Sequence, residues 1–140
     1  YQSIDSLTLD LKFIESFSPD MCGIGPFIPH KDTPFAHFPA GSVELTCTLL
    51  SIIRLLKPNI LLPATTALGS LSPDGREQGL RSGANVVMPN LSPAATRKKY
   101  SLYNGKLSDG AEAAEGLENL KKRIAAAGYR IVTDRGDPAK

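Results

Sequence analysis

Three short apolar runs, each closed by a proline and polar residues, constrain the fold of this chain most strongly. They lie at 21–30, 60–67 and 84–90, and residues with helical periodicity separate them. Buried parallel strands have this composition, because helices cover both faces of a parallel sheet. In such folds the chemistry gathers at the carboxyl ends of the strands. The sequence therefore predicts an α/β fold in which three strand ends face one common site.

Apolar residues at helical spacing predict the elements around these runs. Three helices are expected first: 3–17 with Ser3 as N-cap, 42–57 capped by Ser42, and 76–82 followed by Gly83. A fourth and last helix is expected to start at a capping box of Asp109 and Glu112 and to end at Gly128. It would carry an ion pair of Glu118 with Lys122. Loops are expected at 30–41 and between Ala67 and Gly75. A short strand is expected at 129–132, before a frayed tail.

The composition excludes several classes of function. The chain has 140 residues, of which 41% are hydrophobic and 21% charged, as in one globular domain. Its net charge of +2 and its lack of a basic stripe argue against nucleic acid as a partner. No apolar run approaches the ~18 residues of a membrane-spanning helix, and no signal peptide is visible, so we expect a cytoplasmic protein. Cys22 and Cys47 have the spacing of neither a zinc site nor a redox pair, and we interpret them as small buried residues.

Three strands complete neither an open sheet nor a barrel, since a (βα)8 barrel takes ~250 residues. The chain also starts at Tyr1 without an initiator methionine. We therefore interpret it as a piece of something longer, and its fold as part of a barrel. Residues 1–110 would form the barrel part, and residues 111–140 a C-terminal helix and tail.

Several blocks of the sequence resemble HydE, the radical-SAM maturase family of iron–iron hydrogenase. These blocks are 23–34 (GIGPFIPHKDTP), 63–69 (PATTALG), 75–77 (GRE), 83–90 (GANVVMPN) and 97–106 (RKKYSLYNGK). The resemblance spans roughly residues 1–106. Biotin synthase and methylornithine synthase resemble the chain less closely, and share the region called the biotin and thiamin synthesis associated domain.

The resemblance implies a TIM (βα)8 barrel of which this chain supplies the last three βα units. In the family, a three-cysteine loop holds a [4Fe–4S] cluster, and S-adenosylmethionine binds its unique iron. This chain has no CxxxCxxC loop, and neither Cys22 nor Cys47 matches a cluster cysteine. We therefore expect no metal ligand in this chain. We also expect that it holds neither cofactor and is inactive alone, although both belong to the full-length parent.

The resemblance also implies site residues. The implied cofactor-binding residues are Met21, Ile24, Gly25, Pro26, Phe27, Met88 and Asn90. The adenine of S-adenosylmethionine would lie against the backbone of the first apolar run. The substrate-binding set is Thr65, Thr66 and Arg97, and the catalytic candidates are Tyr100 and Tyr103. Each has a plainer interpretation: a tight turn at 24–27, threonine as a good strand residue, methionine as core filler, tyrosine packed on a surface helix, and arginine as a solvated charge.

The function expected from the resemblance is a fragment of a HydE-like radical-SAM enzyme that lines the cavity for S-adenosylmethionine and substrate. The substrate would be a small amino-acid-like or sulfur-containing molecule, and other hydrogenase maturation proteins are candidate partners. The alternatives are a fragment of a biotin synthase or methylornithine synthase relative, and a non-catalytic binding or assembly module. A three-strand slice of a barrel has two open edges, so we expect the isolated chain to be a homo-oligomer, most simply a dimer.

Overall fold

Three extended segments lie side by side at the centre of the fold. The structure, a computed structural model, describes residues 2–89, 93, 113–132 and 134–138. We call residues 20–26 the first segment, residues 60–65 the middle segment and residues 84–88 the third segment. The middle segment lies between the other two, and each pair runs parallel.

Isolated bridges, rather than continuous ladders, join these segments. Met21 pairs with Leu61, and Pro63 pairs with Val86. The parallel order is the one that the sequence predicts. The prediction of three full strands is wrong, because no strand longer than a single bridge forms within the described ranges.

Pro63 provides a physical reason for the short pairing of the first and middle segments. The N–H of Leu61 donates to the carbonyl of Asp20 at 3.0 Å, and its own carbonyl accepts from Cys22 N–H at 3.0 Å. In a parallel ladder the next donor would be residue 63, and proline has no N–H. The pairing therefore ends after one bridge.

Side-chain and backbone hydrogen bonds join the middle and third segments more extensively. The carbonyl of Leu62 accepts from the N–H groups of Asn85 and Val86 at 2.9 and 3.1 Å, and Ala64 N–H donates to Val86 O at 2.9 Å. The side-chain Oδ1 of Asn85 accepts from Leu62 N–H at 2.8 Å. Asn85 thus stands in for a ladder partner that the backbone does not supply.

Within the described residues, five helices flank the segments: α1 (Ile4–Phe17), α2 (Val43–Leu56), α3 (Thr66–Leu71), α4 (Gly75–Arg81) and α5 (Ala113–Ala126). The predicted caps of α1 and α2 are confirmed, because Ser3 Oγ accepts from Ser6 N–H and Ser42 Oγ accepts from Leu45 N–H, both at 3.1 Å. Gly83 follows α4 with a φ of +105°, as expected for a glycine after a helix.

Helix α3 occupies the stretch where the sequence predicts a loop. Its six residues are too few to show helical periodicity. Burial explains it instead, since Leu68 is fully buried and α3 packs against α4. Tertiary packing, and not local propensity, forms this helix.

The C-terminal part differs from the prediction in two details. Residues 129–132 form no strand, and the Oη of Tyr129 instead donates to the carbonyl of Leu80 at 3.1 Å. Glu118 pairs with Lys121 at 2.8 Å, rather than with the predicted Lys122. The predicted capping box of Asp109 and Glu112 lies outside the described residues.

The core lies between α2, the middle segment and the helices α3, α4 and α5. Its buried apolar side chains are Leu50, Ile53, Ile60, Leu62, Ala64, Leu68, Leu80, Ala84, Leu120 and Ile124. Helix α1 contributes only partly buried residues, such as Leu11 and Ile14, and leaves Phe13 and Phe17 exposed. In the part of the chain that the structure describes, no helix has the length and apolar character needed to cross a membrane.

An ion pair anchors α5 to α4. Nε and Nη2 of Arg123 donate to the two carboxylate oxygens of Glu77 at 2.6 and 2.8 Å, and Nη2 also donates to the carbonyl of Pro73. Burial is the largest single influence on the pKa of Glu77 and would raise it, but the hydrogen bond from Arg123, a backbone hydrogen bond and the charge of Arg123 together outweigh burial, so the pKa lies below its ordinary value of 4.5. The carboxylate is therefore charged and bound throughout the neutral range.

Replacing Glu77 by glutamine is expected to lower the free energy of unfolding by about 1.5 kcal/mol at pH 7. That is the lower end of ~1.5–3 kcal/mol for hydrogen bonds to charged groups, because Arg123 is 41% exposed. A carboxylate with a lowered folded-state pKa contributes stability above its unfolded pKa, and loses it as the pH falls through the folded pKa.

The stability gap between wild type and Glu77→Gln should therefore close as the pH is lowered from 7 to below 4.5. Urea unfolding curves at successive pH values measure it. Glu118→Gln, which removes an exposed pair, is the control and should change nothing measurable. A gap that stays constant down to pH 3 would contradict this account.

Candidate functional site

The first segment has one covered face and one uncovered face. Met21, Gly23 and Gly25 are exposed, whereas Cys22 and Ile24 are partly buried against the core. This alternation is what an extended chain gives when helices cover one side only. Within the described part of the chain, the second side of the segment remains open.

Gly25 and Thr65 meet on this uncovered face. The bridge of Met21 with Leu61, continued four residues along both segments, places Gly25 opposite Thr65. A β-carbon added at Gly25 would lie 2.8 Å from Thr65 Oγ1, so the two residues are in close contact. A candidate cofactor residue and a candidate substrate residue are therefore neighbours.

The same register brings Met88 to this level. The bridge of Pro63 with Val86, continued two residues, places Thr65 opposite Met88. The side chain of Met88 is 57% exposed, which is unusual for core filler. Gly25, Thr65 and Met88 therefore form one row across the three segments, and we call this row the strand-end row.

The hydroxyl of Thr65 has unmet hydrogen-bonding capacity. Thr65 is the N-cap residue of α3, but its side chain makes no capping hydrogen bond. Its Oγ1 is buried and finds no partner among the described residues. Buried hydroxyls nearly always have a partner, so this atom is suited to a ligand that approaches the row.

The side chain of Thr66, the first residue of α3, is bound by an arginine that is not among the predicted site residues. Nη2 of Arg76 donates to Thr66 Oγ1 at 3.2 Å. Arg76 belongs to the short GRE block of the resemblance, which was the only signal that could have singled it out. The two threonines thus have different surroundings, although they are adjacent in sequence.

Other cofactor candidates lie apart from the strand-end row. Met21 is at the amino end of the first segment, about 13 Å from Gly25 at ~3.3 Å per residue. The side chains of Ile24 and Pro26 are turned toward covered surroundings, so only their backbone is placed to meet a ligand.

Phe27 belongs to an aromatic cluster that lines a cavity together with Gly25. Its ring lies 6.2 Å from that of Phe35, which in turn lies 5.5 Å from Phe38, both in edge-to-face contact. The N–H of Gly41 donates to Phe27 O at 2.7 Å and fixes the loop. These rings line a cavity of ≈ 530 Å³ between the beginnings of α1 and α2.

Four predicted site residues lie outside the described residues. They are Asn90, Arg97, Tyr100 and Tyr103. Their roles remain predictions.

Metal ligation has no support in the described ranges, where no three side chains of histidine, cysteine, aspartate or glutamate converge. Cys22 and Cys47 are free thiols, and burial raises the pKa of the Cys22 thiol. A raised pKa disfavours the thiolate that metals bind. His30 Nδ1 accepts from the N–H of Asp32 at 3.1 Å, which is a loop contact.

Comparison with known proteins finds related sequences. No protein-family model matches the chain. Over 106 residues, however, it is 50% identical to the [FeFe] hydrogenase maturase subunit HydE of Thermotoga maritima, an alignment that covers 76% of the chain and 30% of that protein. Over these 106 residues the chain is homologous to part of HydE.

More distant relatives of the chain are two 3-methylornithine synthases. It is 28% identical to the synthase of Methanosarcina barkeri over 127 residues, which is 91% of the chain and 35% of the synthase. The synthase of Methanosarcina acetivorans is also 28% identical, over 125 residues, or 89% of the chain and 34% of that protein. The chain thus spans about a third of the length of the curated relatives it matches.

Proposed function

We propose that the chain forms the closing part of a (βα)8 barrel in a HydE-type radical-SAM enzyme, and that its uncovered face lines the cavity for S-adenosylmethionine and substrate. The observation that carries this proposal is the strand-end row. Gly25, Thr65 and Met88 come from three parallel segments and lie at one level near their carboxyl ends, where Gly25 and Met88 are exposed. In parallel α/β folds, ligands bind at the carboxyl ends of the strands.

The residues present fit the adenosyl part of S-adenosylmethionine. An exposed glycine at 25 lets a planar base approach the backbone, and Thr65 offers a buried hydroxyl without a described partner. The segment from Ile24 to Phe27 would hold the adenine through its N–H and C=O groups, and Met88 would pack against the nucleoside. The bound cofactor supplies radical chemistry in enzymes of this kind.

The residues present do not fit the iron–sulfur cluster. Such clusters are held by cysteine thiolates, and the chain has only Cys22 and Cys47, which lie in different elements and are partly buried. The cluster would be held elsewhere in the parent barrel. The isolated chain should then show no iron–sulfur absorbance after anaerobic reconstitution.

A substrate of amino-acid type suits the two hydroxyls of Thr65 and Thr66, which can donate to a carboxylate or accept from an amino group. The 50% identity to HydE favours hydrogenase maturation over methylornithine synthesis, for which the identity is 28%. Partners would then include a small organic substrate and other hydrogenase maturation proteins. Arg97, Tyr100 and Tyr103 are proposed to reach the same cavity.

The test is S-adenosylmethionine cleavage by the intact protein, expressed from its own gene and reconstituted anaerobically. Release of 5′-deoxyadenosine is expected, and Thr66→Val should reduce turnover about tenfold with an unchanged melting temperature, since a hydrogen bond to a charged ligand contributes ~1.5–3 kcal/mol. Tyr103→Phe is expected to act in the same direction.

Thr48→Val is the matched control, because the Thr48 hydroxyl bonds only to the carbonyl of Glu44 on an exposed helix face. It should leave both turnover and melting temperature unchanged. An intact protein without iron–sulfur absorbance and without cleavage would instead support a binding or assembly module. Early melting of Thr66→Val at normal turnover would make this threonine structural.

A further inference from the structure

The hydrogen bond from Arg76 determines whether the Thr66 hydroxyl donates or accepts its next hydrogen bond. The guanidinium donates to Thr66 Oγ1 at 3.2 Å, and both residues are half-buried. A guanidinium has no acceptor and stays charged at every physiological pH. The bond therefore occupies a lone pair of the hydroxyl oxygen, and leaves the O–H proton to be donated elsewhere.

That proton has no acceptor among the described residues. The only hydrogen bond of the Thr66 side chain in this part of the structure is the one it accepts from Arg76. The neighbouring hydroxyl of Thr65 is buried and also without a described partner. Two adjacent hydroxyls at the end of the middle segment are thus able to donate, and one of them is oriented.

We propose that Arg76 is a positioning residue that makes Thr66 a hydrogen-bond donor to the carboxylate of an amino-acid-like substrate. The inference rests on the proposed function and names the part of the substrate that this site recognises. A carboxylate only accepts hydrogen bonds, so a hydroxyl held as a donor suits it better than one free to rotate. Arg76 acts through Thr66 and need not touch the substrate.

Direct attraction between the guanidinium charge and the carboxylate is the competing explanation, and a double-mutant cycle separates the two. If Arg76 acts through Thr66, its removal has no further effect once the hydroxyl is gone. If it acts by charge alone, the two losses add. Arg81→Met is the matched control, because Arg81 lies on the same helix but is exposed.

The experiment is calorimetric titration of the intact protein with glycine, L-alanine and L-ornithine, each paired with its decarboxylated amine. Wild type is expected to bind at least one amino acid more tightly than the matched amine. Arg76→Met and Thr66→Val should each weaken that amino acid about tenfold, and their combination no further. Arg81→Met should change nothing, and binding of the amines should be unaffected throughout.

Arg76→Lys keeps the charge but not the planar fork, and should recover part of the affinity. If Arg76→Met fails to fold, Arg76→Lys replaces it in the double-mutant cycle. Its loss of affinity should likewise not add to that of Thr66→Val. Additive losses, equal losses for acids and amines, an unchanged affinity in Arg76→Met, or a wild type without preference for the carboxylate would each overturn the inference.

Cleavage of S-adenosylmethionine is measured in the same preparations, so the two proposals fail separately. Carboxylate preference that depends on Arg76, without any cleavage, would refute the proposed function and leave this inference standing. Normal cleavage, together with additive losses of affinity in the double-mutant cycle, would overturn this inference and leave the proposed function standing.

Discussion

Gly75→Ala is expected to lower the free energy of unfolding by about 3 kcal/mol, the upper end of the range for overpacked interiors. Gly75 is the buried first residue of α4, and a β-carbon there would overlap the backbone carbonyl of Leu68. A backbone carbonyl cannot rotate away as a side chain can. Helices α3 and α4, which pack directly against each other, would have to separate.

Thermal melting of the intact protein measures this loss. Gly116→Ala is the matched control, since a β-carbon at Gly116 in α5 meets nothing within 4 Å. Alanine in an open helical position should raise stability by up to about 1 kcal/mol. The same change from glycine to alanine is therefore expected to lower the stability at position 75 and to raise it at position 116. Equal melting temperatures for the two variants would refute the close contact between α3 and α4.

Leu50→Ala is expected to lower the free energy of unfolding by about 2–5 kcal/mol, as for other fully buried leucines. Leu50 is 0% exposed on α2, where its side chain faces Gly79 of α4. The absence of a side chain at Gly79 lets the two helices approach closely, so the cavity left by alanine cannot be filled from that side.

The control lies on the same helix. Leu55 is 82% exposed, and Leu55→Ala should stay within about 0.5 kcal/mol of wild type. Urea unfolding of the intact protein and the two variants gives both values. If Leu55→Ala proves as damaging as Leu50→Ala, the solvent-facing side of α2 is covered in the intact protein, and the present assignment of its core face is incomplete.

Local signals in the sequence were sufficient for the helices whose ends carry a chemical marker. Ser3 and Ser42 are hydroxyl caps, and Gly83 permits a positive φ, so each can be recognised without tertiary contacts. Helix α3 has a threonine at its N-cap, but the Thr65 hydroxyl makes no capping hydrogen bond. The helix forms because Leu68 is buried against α4, and this contact is invisible in a linear pattern.

The extent of the strands was mispredicted for a similar reason. The apolar runs predict parallel neighbours correctly, but pairing also needs an N–H at every second residue, and Pro63 lacks one. The proline itself can be read from the sequence. The sequence does not show, however, that the proline stands where the next N–H would donate to Cys22.

The candidate site was only partly accessible from sequence. Thr65 and Gly25 were recognised through family resemblance, yet their contact depends on the register of two segments about forty residues apart. Arg76 was missed because arginine on a helix is usually a solvated charge, and only the fold brings it to Thr66.

The unequal joining of the three segments has a dynamic consequence. Two backbone hydrogen bonds hold the first segment to the middle one, whereas four bonds, one of them accepted by the side-chain Oδ1 of Asn85, hold the third. The pairing of the first and middle segments at Leu61 is thus the weaker of the two pairings. Helix α1, which packs beside the first segment, has no fully buried residue. Sub-global opening should begin there, with the first segment and α1 leaving together as one cooperative unit. Gly25 would then part from Thr65 while the core around Leu50 stays closed, so contents of the uncovered face can exchange without melting the domain.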